Sequence, residues 1–101
     1  MKEETTEAIR YNEGKPQISL VPPELIIGVA EVMMFGAKKY SRDNWKKGLS
    51  YEDCYDSCQR HLLAFINGEE RDEESGLPHL AHAATNIAFM LYFKKYGEKS
   101  E

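Results

Sequence analysis

The chain has 101 residues, which is enough for one domain and too few for a second hydrophobic core. Hydrophobic residues make up 42% of it and charged residues 30%, a balance typical of folded domains and unlike that of disordered or collagen-like chains. The longest apolar run, Ile87–Phe93, is seven residues long, whereas a bilayer requires about 20. We therefore expect a cytoplasmic protein with no membrane partner.

The charges of the chain argue against a nucleic-acid polymer as partner. Thirteen Lys and Arg residues oppose seventeen Asp and Glu residues, for a net charge of −4, and affinity for polynucleotides depends on basic residues that neutralise phosphates. The charges are unevenly placed, because residues 38–47 carry five basic side chains and one acid, whereas residues 69–74 carry five acids and one arginine. This pairing suits a phosphate-bearing ligand with a divalent metal, and solvated surface charge is the alternative.

The sequence divides into three parts. Residues 1–10 are polar and lack the periodicity that would hold them to a core, so we expect a flexible arm. Residues 11–97 form a single all-helical domain that starts with a Gly- and Pro-containing loop, and residues 98–101 form a short tail. No internal repeat or β-type alternation is present, and the predicted fold class is all-α.

The first two helices have recognisable ends. Pro23 suits the first turn of a helix, and apolar residues then recur at helical spacing to about Tyr40. Ser50 and Asp53 resemble a capping box, and Gly68 supplies a left-handed stop at the far end of the second helix.

The third helix is the most apolar. Ser75 is its predicted cap, Pro78 falls in its first turn, and the pattern runs to about Tyr96. Between residues 87 and 93 it is apolar on every side, and two partner helices can hardly cover it completely. We therefore predict a three-helix bundle that is completed by a homo-oligomer, a dimer or a larger assembly.

The candidate chemistry lies around the turn between the second and third helices. All three histidines occur within 22 residues of one another, together with the acidic segment 69–74. His79, His82 and Asn86 are spaced to share one helical stripe, and His61 faces them across the hairpin. Carboxylates beside imidazoles can hold a divalent ion, and Mg²⁺ or Mn²⁺ would choose the acids first. The predicted metal ligands are Glu69, Asp72 and Glu74.

The three histidines are the predicted catalytic residues. His61, His79 and His82 are candidates for ligand orientation, proton transfer or phosphate contact. The alternative is that they form hydrogen bonds across the bundle and serve only its structure.

A predicted nucleotide-binding segment follows the first helix and contains two lysines, a tyrosine and a tryptophan. The ammonium groups of the lysines can balance a triphosphate, and an aromatic ring can stack on a base. The alternative is a basic helix end that compensates the helix dipole, with the tryptophan closing over the core. Arg60 could contact a phosphate or form a structural ion pair. The predicted substrate-binding residues are Lys38, Lys39, Tyr40, Trp45, Arg60 and Asn86.

Seven motifs in fixed order resemble the small, mostly phage-borne dATP/dGTP diphosphohydrolase domain, from about Tyr11 to Phe93. The motifs are N-E-G-K-P (12–16), L-V-P-P-E (20–24), F-G-A-K-K-Y (35–40), N-W (44–45), R-H-L-L-A (60–64), G-E-x-x-D-x-E-S-G (68–76) and H-L-A-H-A-A-T-N (79–86). The resemblance implies hydrolysis of purine deoxynucleoside triphosphates to the monophosphate and pyrophosphate, in the host cytoplasm if the protein is phage-encoded. It also implies a functional kinship with the all-α MazG-type pyrophosphohydrolases, which bind Mg²⁺ through E-x-x-E and E-x-x-D on successive helices. If the R-H-L-L and H-L-A-H-A-A-T-N motifs occupy those helical positions, His61, His79, His82 and Asn86 stand where carboxylates would be expected.

The leading hypothesis is Mg²⁺- or Mn²⁺-dependent attack of water on the α-phosphorus of a purine deoxynucleotide. Two other classes stay open. One is a phage protein that sequesters a nucleotide without cleaving it, and the other is a structural helical bundle.

Overall fold

Three α-helices dominate the computed structural model, which describes residues 9–97. They are α1 (Pro23–Lys39), α2 (Tyr51–Ile66) and α3 (His79–Tyr96). Short 3-10 helices, Ile18–Leu20 and Asn44–Lys47, precede α1 and α2. Residues 9–97 contain no strand, only an isolated bridge between Arg71 and Pro78, so the all-α prediction is confirmed. The predicted arm falls largely on residues 1–8 and the predicted tail on 98–101, which lie outside the described residues.

The ends of α1 and α2 follow the sequence signals. Pro23 is the first residue of α1, where its missing N–H leaves no hydrogen bond unmade. The Ser50 hydroxyl accepts a hydrogen bond from the Asp53 amide at 3.0 Å, as a capping residue does. Gly68 follows α2 with a φ of +99°, a left-handed conformation that glycine adopts without strain.

The predicted start of α3 is wrong. The helix begins at His79 with Pro78 as its N-cap, and Ser75 lies in the preceding turn. Pro78 disfavours a helical conformation at Leu77, so the helix cannot extend back to Ser75. The Ser75 hydroxyl instead accepts a hydrogen bond from the Leu77 amide at 3.1 Å.

Helix α3 is central and packs against both α1 and α2. Its buried residues are His79, Ala81, Ala83, Thr85 and Phe93. The core also includes Cys54 and Cys58 from α2 and Val32 from α1. Gly28 permits a close approach of α1 to α3, since a Cβ atom there would lie 3.2 Å from the Ala81 Cβ.

A large part of the apolar surface stays exposed in the single chain. Ile27 and Met34 on α1 are 55% and 66% exposed, and Ile87 and Leu91 on α3 are 47% and 67% exposed. The helix that is apolar on every side is therefore only partly covered by its own chain. None of the described helices combines the length and hydropathy that a membrane span requires.

Candidate functional site

The acidic segment between α2 and α3 is a tightly hydrogen-bonded turn. The Asp72 amide donates to the Leu77 carbonyl at 2.8 Å, the Gly76 amide donates to the Asp72 carbonyl at 2.8 Å, and the His79 amide donates to the Glu70 carbonyl at 2.8 Å. Asp72 is only partly exposed, whereas the neighbouring glutamates are exposed. The turn thus fixes one carboxylate of the segment against the helices.

Three imidazole rings meet beside this turn, and we call them the histidine cluster: His61, His79 and His82. The Nδ1 atoms of His61 and His79 are 2.8 Å apart. The rings of His61 and His82 stack with centroids 4.5 Å apart and planes 10° from parallel. His79 is 5% exposed, and its Nε2 lies 3.2 Å from Oε2 of Glu69. The hairpin therefore brings the predicted histidines together.

The hydrogen bonds of the cluster define which nitrogens carry protons when both rings are neutral. An ionised Glu69 can only accept, so Nε2 of His79 donates to it and Nδ1 of His79 is an acceptor. Nδ1 of His61 must then donate to Nδ1 of His79. The remaining nitrogen of His61, Nε2, is left with a free lone pair.

Ser75 connects Asp72 with His82. Its amide donates to Oδ2 of Asp72 at 2.9 Å, and its hydroxyl lies 2.7 Å from Nε2 of His82. Oδ2 of Asp72 is itself 3.9 Å from Nε2 of His82. A single serine thus holds the carboxylate and an imidazole in a fixed relation.

The surroundings of these groups shift their pKa values. Burial lowers the pKa of His61, and the nearby His82 and His79 lower it further. Burial also lowers the pKa of His82, against the opposing effect of Asp72. Burial alone would raise the pKa of Asp72, but the hydrogen bonds from Ser75 and the neighbouring imidazoles outweigh it, so that pKa lies below its usual value. At neutral pH the rings of His61 and His82 are therefore neutral beside an ionised Asp72.

A cavity of about 420 Å³ opens beside the cluster, between the end of α1, the 41–49 segment, α2 and α3. Its wall combines the polar groups of the turn with aromatic rings from α1, α3 and the 41–49 segment. The sequence-predicted residues that line it are Lys39, Tyr40, Trp45, His61, Asp72, Glu74, His82 and Asn86. The mixture of cationic, anionic and aromatic side chains is suited to a nucleotide.

Four predicted site residues do not line the cavity. Lys38 and Arg60 are exposed on the surface. Glu69 lies against His79, and neither residue is part of the cavity wall, although His79 contacts His61. Of the three predicted metal-binding carboxylates, Asp72 and Glu74 therefore line the cavity and Glu69 does not.

Lys39 joins the two oppositely charged segments of the sequence. Its ammonium group forms an ion pair with Glu74 and lies 5.4 Å from the ring centroid of Tyr40. Tyr40 is 64% exposed. A cation and an accessible ring therefore stand together at the cavity.

Trp45 packs into the bundle. Its ring stacks on Phe89 with centroids 4.7 Å apart and meets Tyr92 edge-on at 4.8 Å. Its indole nitrogen is buried and has no hydrogen-bond partner among residues 9–97. Trp45 thus closes over the core, as its structural interpretation predicts, while also forming part of the cavity wall.

Sequence reasoning missed several polar residues of the cavity wall, among them Arg42, Asp53 and Ser57. The Ser57 hydroxyl accepts a hydrogen bond from the Asn86 side-chain amide at 3.1 Å. Asp53, Ser57 and His61 are spaced by four residues and so share one stripe of α2. That stripe, opposite the polar stripe of α3, is the sequence signal that points to them.

Comparison with known proteins agrees with the motif resemblance. The family described as dATP/dGTP diphosphohydrolase, N-terminal, matches residues 5–101. A dATP/dGTP diphosphohydrolase of Salmonella phage PMBT28 is 38% identical over 84 residues, which cover 83% of this chain and 29% of the phage protein. The chain thus spans less than a third of that relative's length. No solved structure matches the chain. On the match over nearly its whole length, the chain belongs to the dATP/dGTP diphosphohydrolase N-terminal domain family.

Proposed function

We propose that the chain binds a purine deoxynucleoside triphosphate in the cavity and, with Mg²⁺ or Mn²⁺, hydrolyses it to the monophosphate and pyrophosphate. The observation that carries this proposal is the meeting of Asp72, His61 and His82 at the wall of a cavity that also holds Lys39. The name of the phage relative supports the same chemistry and the same substrate class.

The chemical step is the attack of water on the α-phosphorus. The oxygen of water forms a bond to phosphorus, the bond from the α-phosphorus to the bridging oxygen breaks, and pyrophosphate leaves with that oxygen. The water proton goes to a neutral imidazole, for which His61 and His82 are the candidates at the cavity wall. Their lowered pKa values keep them unprotonated near neutral pH.

A divalent ion would neutralise the triphosphate and polarise the phosphoryl group under attack. Asp72 is the best-placed of the three carboxylates in the sequence-based hypothesis, because it is held by Ser75 at the cavity wall. Glu74 also lines the cavity but is paired with Lys39. Glu69 hydrogen-bonds His79, which favours an orienting role.

Substrate binding follows from the charges and rings of the wall. Lys39 would exchange Glu74 for the phosphates, and the exposed ring of Tyr40 would stack on the base. The Asn86 amide already donates to Ser57 and to the His82 carbonyl. Asn86 would therefore mainly hold the neighbouring residues of the cavity wall in place, rather than contact the nucleotide.

A homo-oligomer is also part of the proposal. Leu80, Ile87 and Leu91 recur on one stripe of α3 and are 45%, 47% and 67% exposed. Ile27 of α1 and Leu80 of α3 line one shallow apolar depression, so the exposed faces of the two helices are continuous there. We propose that a second copy of the chain covers this surface.

The test of the activity is incubation of purified protein with dATP, dGTP and the corresponding ribonucleotides, with Mg²⁺ or Mn²⁺, followed by separation of the products. Monophosphate plus pyrophosphate supports the enzyme. Recovery of intact and tightly retained nucleotide supports the sequestering protein. If the protein neither cleaves nor retains a nucleotide, the result supports the structural bundle.

A matched pair of variants ties the activity to the site. Asp72→Asn should reduce turnover at least about 100-fold, whereas Asp56→Asn should not change it, because Asp56 is an exposed carboxylate outside the cavity wall. Equal activity in the two variants would contradict the assignment of Asp72.

A further inference from the structure

Three side chains of different elements converge on one point beside the cavity. One ligand atom each of His61, Asp72 and His79 lies within 4.8 Å of the other two. The Nδ1 atoms of His61 and His79 are 2.8 Å apart. Among residues 9–97, these are the three histidine, cysteine or carboxylate side chains that lie close enough together to bind one metal ion.

The spacing of the nitrogens is close to that of a metal site. A transition-metal ion binds imidazole nitrogen at about 2.0–2.1 Å, so two nitrogens at ordinary coordination angles lie about 3.0–3.4 Å apart. His61 and His79 would have to separate by a few tenths of an ångström and turn so that both Nδ1 lone pairs face the ion. The ion would replace the hydrogen bond between them, and the His61 proton would move from Nδ1 to Nε2.

Glu69 supports His79 from the other side. Its carboxylate accepts from Nε2 of His79 at 3.2 Å, which leaves Nδ1 of that ring unprotonated and facing Nδ1 of His61. Metal-binding histidines typically donate their second ring N–H to a carboxylate, which fixes the tautomer and the ring orientation. The arrangement of Glu69, His79 and His61 follows this pattern.

The donor set selects the class of ion. Mg²⁺ prefers oxygen ligands and retains several waters, whereas imidazoles favour first-row transition metals. His79 is 5% exposed, while His61 and Asp72 line the cavity. An ion held by all three would have its open positions on the cavity side, where a water or a phosphate oxygen can bind.

We propose that His61, His79 and Asp72 form a binding site for one transition-metal dication, such as Mn²⁺, Co²⁺ or Zn²⁺, in which Glu69 orients His79. The proposal rests on the proposed function and identifies its cation. Glu69 is then a positioning residue, and His82, which stacks on His61 from outside the set, is the imidazole that accepts the water proton.

The test measures binding of the metal alone. Isothermal titration of the protein with Zn²⁺, Co²⁺ and Mg²⁺ should show one transition-metal site per chain that Mg²⁺ at equal concentration does not occupy. His79→Gln and Asp72→Asn should weaken binding at least about 100-fold, and Glu69→Gln about 10- to 100-fold. The control for Asp72→Asn is Asp56→Asn, which should bind within about threefold of the unaltered protein because Asp56 is an exposed carboxylate outside the set. Binding that His79→Gln leaves unchanged, or the absence of a transition-metal site, would overturn the proposal.

A second measurement avoids the risk that a variant of the buried His79 does not fold. Zn²⁺ is added to ¹⁵N-labelled unaltered protein, and the side-chain nitrogen resonances of the histidines are followed by NMR. The Nδ1 resonances of His61 and His79 should shift into the range of metal-bound imidazole, and those of His82 should not. Shifts confined to His82, or none, would reject the site.

Failure of this proposal is distinguishable from failure of the proposed function. Hydrolysis of dATP with Mg²⁺ by a protein that binds no transition metal would reject the site and support the activity. A metal bound at these residues in a protein that cleaves no nucleotide would support the site and reject the activity.

Discussion

Nδ1 of His61 lies 2.8 Å from Nδ1 of His79, so a residue of the cavity wall is in direct contact with one that is 5% exposed. The contact joins the last part of α2 to the first residue of α3. It depends on the turn between these helices, in which the His79 amide donates to the Glu70 carbonyl. Changes in the turn should therefore affect the site as well as the fold.

The Ser75 hydroxyl is the first test of that turn. Ser75→Ala removes the acceptor of the Leu77 amide and the partner of Nε2 of His82. We expect the free energy of unfolding to fall by about 1–3 kcal/mol, because two partly buried polar groups lose their partner. Urea denaturation measures the change. Ser19→Ala, at an exposed serine, is the control, and equal stabilities for the two variants would contradict the role of Ser75.

The two adjacent lysines in the last turn of α1 should behave differently in catalysis. Lys39 lines the cavity, whereas Lys38 is exposed outside its wall. Lys39→Gln should raise KM for dATP about tenfold or more, because a charge-assisted contact to phosphate is lost. Lys38→Gln has the same loss of charge and should leave KM nearly unchanged. Steady-state kinetics at constant ionic strength separates these outcomes, and similar values for both variants would indicate a general effect of charge.

Local sequence signals predicted most of the helical architecture. The Ser50 cap, the Gly68 stop and the proline at the start of α1 act through neighbouring residues and appear as predicted. Ser75 has the same chemistry as Ser50 but does not cap a helix. The difference is Pro78, which restricts Leu77, and the hydrogen bonds of the turn, which join residues too far apart for a capping pattern to reveal.

The candidate site was only partly predictable for the same reason. Helical spacing placed His79 and His82 on one stripe, and the hairpin placed His61 opposite them, as the structure has it. The interaction partner of each glutamate was not predictable, because Glu69 and Glu74 contact residues that are 10 and 35 positions away in the sequence. Such pairings are set by the packing of the three helices, which spacing along the chain does not specify.

Two glycines of α1 allow a test of how closely α1 approaches α3. A Cβ atom at Gly36 would meet nothing within 4 Å, whereas one at Gly28 would lie 3.2 Å from the Ala81 Cβ. Gly36→Ala should raise the free energy of unfolding by about 0.5–1 kcal/mol, because alanine loses less backbone entropy in a helix. Gly28→Ala should gain nothing, since α1 must shift to accommodate the methyl group. Thermal denaturation of both variants is the measurement, and an equal gain would show that α1 moves freely on α3.

The proposed association of two copies predicts the effect of a charge on the exposed stripe of α3. Leu91→Glu should convert an oligomer into a chain of 11.6 kDa, because Leu91 is 67% exposed on the apolar face that a second copy would cover. Leu63→Glu is the matched control, since Leu63 is 60% exposed on α2, away from that stripe. Light scattering coupled to size-exclusion chromatography gives the masses. An unaltered protein of 11.6 kDa would contradict the oligomer itself.

The partly buried imidazoles of His61 and His82 predict how stability depends on pH in metal-free buffer. The ordinary pKa of histidine is 6.5, and burial lowers the pKa of His61 and of His82 in the folded chain. Between the folded and unfolded pKa values the unfolded chain binds more protons, so the free energy of unfolding increases with pH. The contribution of these two histidines to the free energy of unfolding is fully present above about pH 7. It is lost as the pH falls below 6.5 through their pKa values in the folded chain. Asp72 acts in the same direction at lower pH, because its folded pKa lies below the ordinary value of 3.8.

Urea denaturation from pH 8 to pH 5 with a chelator should show this decline, and His82→Gln should make it shallower. A free energy of unfolding that stays constant or rises as the pH falls from 7 to 5 would show that the folded chain accommodates charged imidazoles at these positions.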